Sequence, residues 1–131
     1  MPEADAIVSR LLQQAAEVAP QLVPWRRTLH RYAETAWTEY RSSSLIAQTL
    51  AGLGYRLALG RAILKADARM GVPADDVLDA AYRRALDEEA APDLLKEMQG
   101  GFTGVVARLK GGRPGPTIGF RFDIDALDIV E

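Results

Sequence analysis

The chain has no cysteine, which excludes disulfides, thiolate metal sites and cysteine nucleophiles and fits a reducing compartment such as the cytoplasm. It has a single histidine, His30. Catalytic zinc sites usually take three protein ligands dominated by imidazole, so His30 alone cannot build one. Positive charge is not in excess: sixteen Lys and Arg stand against eighteen Asp and Glu, a net charge of −2. That balance excludes a phosphate-backbone binder, and no nucleic-acid partner is expected. Long apolar runs are missing too, since none approaches the roughly 18 residues of a membrane span. The start, Met1-Pro2-Glu3-Ala4-Asp5, is acidic where a signal peptide needs positive charge, so no membrane association is expected. What remains is 131 residues, 48% apolar and 26% charged, the composition of one ordinary globular domain.

Hydrophobic spacing divides the chain. Ile7, Leu11 and Ala15, with Val8 and Leu12, form an i, i+4 stripe and predict a helix over Ala4 to Val18 that Pro20 ends or restarts. Leu22, Trp25, Leu29 and Tyr32 continue as a second stripe, with Pro24 in a first turn or at a kink. Thr38 is placed to cap a third helix that opens with Glu39, carries Leu45, Leu50 and Leu53, and stops at Gly54. Tyr55 to Leu59 alternates like a strand. From Gly60 to Gln99 charges of both signs are spread as on solvated helix faces. There Asp75 or Asp76 starts a helix with Val77, Leu78, Ala81, Tyr82 and Ala85 on its stripe. Pro92 opens a shorter one with Leu94, Leu95 and Met98 inside, closed by Gly100-Gly101. The period then changes to two: Val105 to Lys110, a Gly- and Pro-rich turn over 111–116, and Thr117 to Asp123 predict a β-hairpin. On its second strand Ile118, Phe120, Phe122 and Ile124 share one face, and Arg121, Asp123 and Asp125 the other.

Asp123 and Asp125 at i and i+2 suit a hard cation, or a carboxylate that orients a metal-bound imidazole; they equally suit a strand end passing into a loop. Phe122-Asp123-Ile124-Asp125 after an apolar strand also resembles the nucleophile motif of haloacid-dehalogenase-type phosphatases, which would make Asp123 the nucleophile and Asp125 the acid/base. Leu127 stands where that motif has a threonine. His30 and Glu34, four residues apart, read as half of a metal site or as a surface or capping contact. Arg26, Arg27 and Arg31 read as a grip for an anion or as a solvated helix face, and Trp25 and Trp37 as core anchors.

The segments Trp25 to Glu34, Trp37-Thr38-Glu39-Tyr40-Arg41, Leu53-Gly54-Tyr55, Gly101-Phe102-Thr103-Gly104, Arg113-Pro114-Gly115-Pro116 and Asp123-Ile124-Asp125-Ala126-Leu127, in that order, resemble the N-terminal part of the aminoacylase/carboxypeptidase-type metallo-amidohydrolases. The stretch from Gly60 to Gln99 looks like an insertion found in the branch of that family that cleaves p-aminobenzoyl-glutamate. The resemblance implies an incomplete α/β fold: N-terminal helices plus the first β-hairpin of a mixed catalytic sheet, with a helical insertion at about 60–99. It implies a small-molecule amide as substrate, a divalent metal, manganese or zinc, in the complete enzyme, and a partner B subunit. The family's metal ligands follow the Asp-x-Asp strand, so the expectation is a fragment inactive alone, with no metal or cofactor site of its own. Related peptidases carry a histidine ligand where Asp123 stands, which leaves Asp125 as the candidate for a carboxylate orienting a ligand from behind. The competing reading is a non-catalytic helical interaction module.

Overall fold

A computed structural model describes residues 2–129. It separates into two compact units, one ending at Tyr32 and one beginning at Ala33.

The first unit is a single helix, α1, over Pro2–Arg31, so the break expected at Pro20 does not occur. Pro20 and Pro24 each lack only one N–H, which leaves the carbonyls of Ala16 and Pro20 without their helical donors while the ladder continues on the other faces. Trp25 is half-buried rather than a core anchor.

In the second unit α2 spans Tyr40–Gly52, β1 Arg56–Leu59, α3 Asp75–Asp87, α4 Pro92–Met98 and β2 Val105–Arg108, with short 3₁₀ turns at Gly60–Ala62 and Ala66–Ala68. The end of α2 follows from sequence: Gly54 takes φ of 84°, which a glycine adopts without steric cost. Its N–H donates to Ala51 O at 2.9 Å while the N–H of Tyr55 donates to Leu50 O at 3.0 Å, the paired bonds that close a helix. The start of α2 differs from expectation. Thr38 turns its hydroxyl back to Thr35 O at 2.7 Å, and Glu39 occupies the position before the first turn without capping it. Leu53 lies past the helix and is exposed.

The core gathers Tyr40 and Ala47 of α2, Ala81 and Ala85 of α3, Ala90, and Leu95 and Met98 of α4. Full burial of Leu95 and Met98 stabilises by about 1.5–3 kcal/mol each. The rings of Tyr40 and Tyr82 meet edge to face at 5.5 Å. Val77, expected on the buried stripe of α3, is exposed; Leu78, Ala81 and Ala85 carry that face.

The incomplete α/β class holds, but the strand pairing differs from the expected hairpin. β2 runs antiparallel to β1, with Leu57 opposite Ala107 and Leu59 opposite Val105, and Leu57, Leu59 and Val105 pack on the core. Residues 117–123 form no strand. They keep a strand's alternation nonetheless: Phe120 and Phe122 stack at 6.3 Å on one side, and Arg121 reaches Asp123 at 2.7 Å on the other. β2 pairs instead with β1, which arrives from the α2 side.

Candidate functional site

Buried polar groups gather where the turn over 34–39 meets Gly101-Phe102-Thr103-Gly104. Glu34, Thr38, Glu39, Ser42, Ser43, Ser44 and Thr103 are all buried. Each has a reason to be there. Glu34 sits eight positions before Ser42, and its two carboxylate oxygens accept the N–H groups of Arg41 at 3.0 Å and Ser42 at 2.8 Å. It therefore caps α2 from upstream, placing negative charge at the positive end of the helix dipole. The Ser43 hydroxyl donates to Thr103 O, Ser44 Oγ accepts the N–H of Ala91 at 3.1 Å, and the Tyr40 hydroxyl accepts the N–H of Gly101 at 2.8 Å. These small hydroxyls let α2 lie against loop backbone without stranding its polar groups.

The Gly101-Phe102-Thr103 strap is also held from outside. Arg69 donates to the carbonyls of Gly100 at 2.8 Å and Gly101 at 3.1 Å. Phe102, wholly buried, lies under two guanidinium groups, Arg69 at 3.7 Å and Arg61 at 3.9 Å from its ring centre. Gly101 has φ of 76°, and a Cβ there would stand 3.1 Å from the carbonyl oxygen of Trp37. Trp37 itself takes φ of 68°, rare for so large a residue, with its indole N–H donating to Met70 O at 2.9 Å. It is half-buried and acts as a clasp rather than a core anchor; the wholly buried aromatic residues are Tyr40 and Phe102.

At the centre, Thr103 Oγ1 donates to Glu39 Oε2 at 2.6 Å. Burial pushes the Glu39 carboxyl above its usual range, the Thr103 bond opposes that, and the negative charges of Asp125 and Glu34 push the same way as burial. The N–H of Ala126 donates to Glu34 O at 2.7 Å, which anchors the chain just beyond Asp125. Of the expected pair, both Asp123 and Asp125 are exposed; Asp123 pairs with Arg121, and Asp125 lies close enough for its charge to act on Glu39. Glu34 is occupied as a cap, and His30 lies in the last turn of α1, in the other unit. Arg26 and Arg27 are exposed on α1, and Arg31 lies over the Tyr32 ring at 5.2 Å. Glu39 and Thr103 are the site residues that sequence reading missed. The one signal for them was a carboxylate next to a Ser-Ser-Ser run that must be buried by something.

Chemically the arrangement favours a proton on Glu39 and tethers the backbone next to Asp125 through the Ala126 N–H. Among the described residues no group of three or more His, Cys, Asp or Glu is placed to hold a metal ion, and no helix is long and apolar enough to cross a membrane.

By sequence the chain is similar to a class of amide- and peptide-cleaving hydrolases, to which two thermostable carboxypeptidases from Saccharolobus solfataricus are the distant link: each is 26% identical over 95% of this chain and 22% of its own length. Within that class the nearer relatives carry more specific names. The A subunit of p-aminobenzoyl-glutamate hydrolase from Escherichia coli is 46% identical over 92% of this chain and 28% of its own length, and an indole-3-acetyl-aspartic acid hydrolase from Enterobacter agglomerans 49% over 88% and 26%. The crystal structure of an aminobenzoyl-glutamate utilization protein from Klebsiella pneumoniae superposes with a TM-score of 0.83 at 50% identity, covering 86% of this chain and 29% of that one. No family model matches the chain. In sequence and backbone the chain is related to the p-aminobenzoyl-glutamate hydrolases, and it spans about a quarter of the length of these relatives.

Proposed function

We infer that this chain supplies the helical shoulder and first strands of an amide hydrolase acting on an aromatic acyl group joined to an acidic amino acid, p-aminobenzoyl-glutamate before others. The observation that carries the reading is the joint match of sequence and backbone, 50% identity at a TM-score of 0.83. The relative named for indole-3-acetyl-aspartate shares that chemistry, an aromatic acyl group on an acidic amino acid, and makes its amide the second substrate to try. The reaction proposed is hydrolysis to the free aromatic acid and the amino acid, in the cytoplasm, with a partner B subunit. A manganese or zinc ion belongs to the complete enzyme in this reading. The residues described here do not fit that ion, since they offer no cluster of three ligands, and the metal-binding groups are assigned to sequence outside this chain. Asp125 is given the part of a carboxylate that positions such a ligand, and the stretch 60–99 that of a helical insertion in a catalytic α/β domain. An exposed Asp123 tied to Arg121, and relatives named for amide hydrolysis, favour this reading over a phosphatase with an Asp123 nucleophile or a non-catalytic module.

The test is a chimaera in which this chain replaces the matching segment of the Escherichia coli relative. Release of p-aminobenzoate by the chimaera, and none by this chain alone with manganese or zinc, is expected. A folded, metal-loaded chimaera without turnover on either amide sinks the reading. In the active chimaera Asp125→Asn should lower turnover by about 10- to 100-fold with a smaller loss of metal content.

A further inference from the structure

Three carboxylates gather at the turn over 34–39, and they are held unequally. Glu34 is buried with an N–H donated to each oxygen, from Arg41 and Ser42. Glu39, 8% exposed, has the Thr103 hydroxyl on one oxygen at 2.6 Å. Asp125 is exposed, between the half-buried Ile124 and Ala126. The charges that act on Glu39 come from Asp125 and from Glu34 on its own turn, and both are negative. The Arg41 guanidinium turns to Glu88, with Nε 3.7 Å from Oε2. Asp76 and Arg84 of α3 and Asp128, all exposed, line the open groove beside Thr35 and Thr38, where solvent and salt screen them.

The elements around Glu39 also differ in how firmly they are fixed. The Gly101-Phe102-Thr103 strap is fastened by Arg69, Tyr40 and Ser43 and by the burial of Phe102. The start of α2 is fastened by Glu34. For residues 117–129 the backbone bond described to the rest of the unit is Ala126 N–H to Glu34 O, at 2.7 Å. A charge appearing on buried Glu39 is relieved most readily by releasing that segment, because the strap and α2 would each lose several bonds. We propose that Glu39 is a positioning residue for Asp125: as a neutral acid it lets residues 124–126 lie against the turn, and as a carboxylate it pushes them away. Direction follows from linkage. Asp125 in place favours the protonated form of Glu39, so protonation of Glu39 must favour Asp125 in place by the same factor. Burial acts on Glu39 first and Asp125 less, since the charge of an exposed carboxylate is screened. Placement is firmest at and below pH 4.5, the ordinary value of such a carboxyl, and weakens as pH rises through the value that burial has raised. What the placement does for catalysis rests on the amide-hydrolase reading; the placement itself is a property of this chain.

The experiment is a pH titration of the full 131-residue chain by heteronuclear NMR, from pH 4.5 upward, reading the Glu39 carboxyl carbon and the Ala126 amide. Both should move with one midpoint above 4.5, and the Ala126 amide proton should shift upfield as its bond to Glu34 O opens. Asp125→Asn, at an exposed position, should lower the Glu39 midpoint and shrink the Ala126 step; roughly 1 M salt should do the same in the unaltered chain. Thr103→Val should raise the midpoint by removing the hydroxyl that favours the charged form, and Thr103→Ser should restore it. In Glu39→Gln the Ala126 step should be lost, the amide keeping its low-pH position throughout. A Glu39 midpoint that Asp125→Asn leaves unmoved overturns the proposal, as does an Ala126 amide that ignores the Glu39 midpoint or still titrates in Glu39→Gln. Turnover by the chimaera decides the hydrolase reading separately: an inactive chimaera beside an intact titration leaves the placement standing, and an active one without the titration removes Glu39 from this role.

Discussion

Glu34 holds the start of α2 from upstream, so its value lies in two N–H groups that would otherwise be buried without partners. Glu34→Ala should cost about 1–3 kcal/mol, read as a lowered urea midpoint at an unchanged slope. Glu39 behaves in the opposite sense. Burial raises its carboxyl above the ordinary 4.5, so the folded chain holds that proton more tightly than the unfolded one. The stability this group contributes is complete below the unfolded value and is lost as pH rises through the folded value. Glu39→Gln keeps an oxygen for the Thr103 hydroxyl and carries no charge, so it should flatten the decline above pH 4.5 and raise the midpoint at pH 7; a steeper decline in the variant would contradict this assignment. At Gly101 a side chain would be strained by the positive φ and crowded by the Trp37 carbonyl, and Gly101→Ala should destabilise by about 1–3 kcal/mol in thermal melts. Residues of this kind divide by how far their signal travels. Gly54 and Gly101 announce themselves locally, since glycine after a helical stripe marks a stop. Glu39 and Thr103 lie 64 positions apart, and nothing in the spacing of either says that they touch.

Among the elements, α3, α4 and both observed strands were legible because each has a clear period and a clear boundary residue: Asp75 at a positive helix end, Pro92 in a first turn, Gly100 after a last one. Partnership was not legible. Alternation tells which residues of a strand share a face, but neither which strand lies beside it nor in what register. Hence the pattern offers residues 117–123 as the partner of β2, when that partner is β1. The continuity of α1 through two prolines was hidden for a related reason, since local rules count a proline's missing bond and not the bonds the other faces keep. The segment 117–123 has the pattern of a strand without its ladder, with Phe120 and Phe122 both 80% exposed. Its amides should exchange with solvent at nearly the rate of an unfolded chain, while the β2 amides that bond β1 are protected; slow exchange across Thr117 to Phe122 in the isolated chain would show that the segment has found a strand partner.

For the whole molecule, the core of the second unit is drawn from residues between Tyr40 and Met98, with Val105 packed against it, and none of those residues belongs to α1. A chain beginning at Ala33 is therefore expected to keep the near-ultraviolet signal of Tyr40, Tyr82 and Phe102 and to melt cooperatively; loss of that signal would mean the core depends on more than its own residues. The pairing of β1 with β2 also sets an order in time. Residues 60–104 lie between the two strands, and closing a loop of that length must precede any bond of the sheet, whereas the turns of α3 and α4 within it form from near neighbours. Those helices are expected to form early and draw the ends together, with the sheet closing late. Truncations at Leu57 or Val105 should accordingly quicken unfolding while leaving the refolding rate nearly unchanged, whereas truncation at Leu95 slows refolding itself.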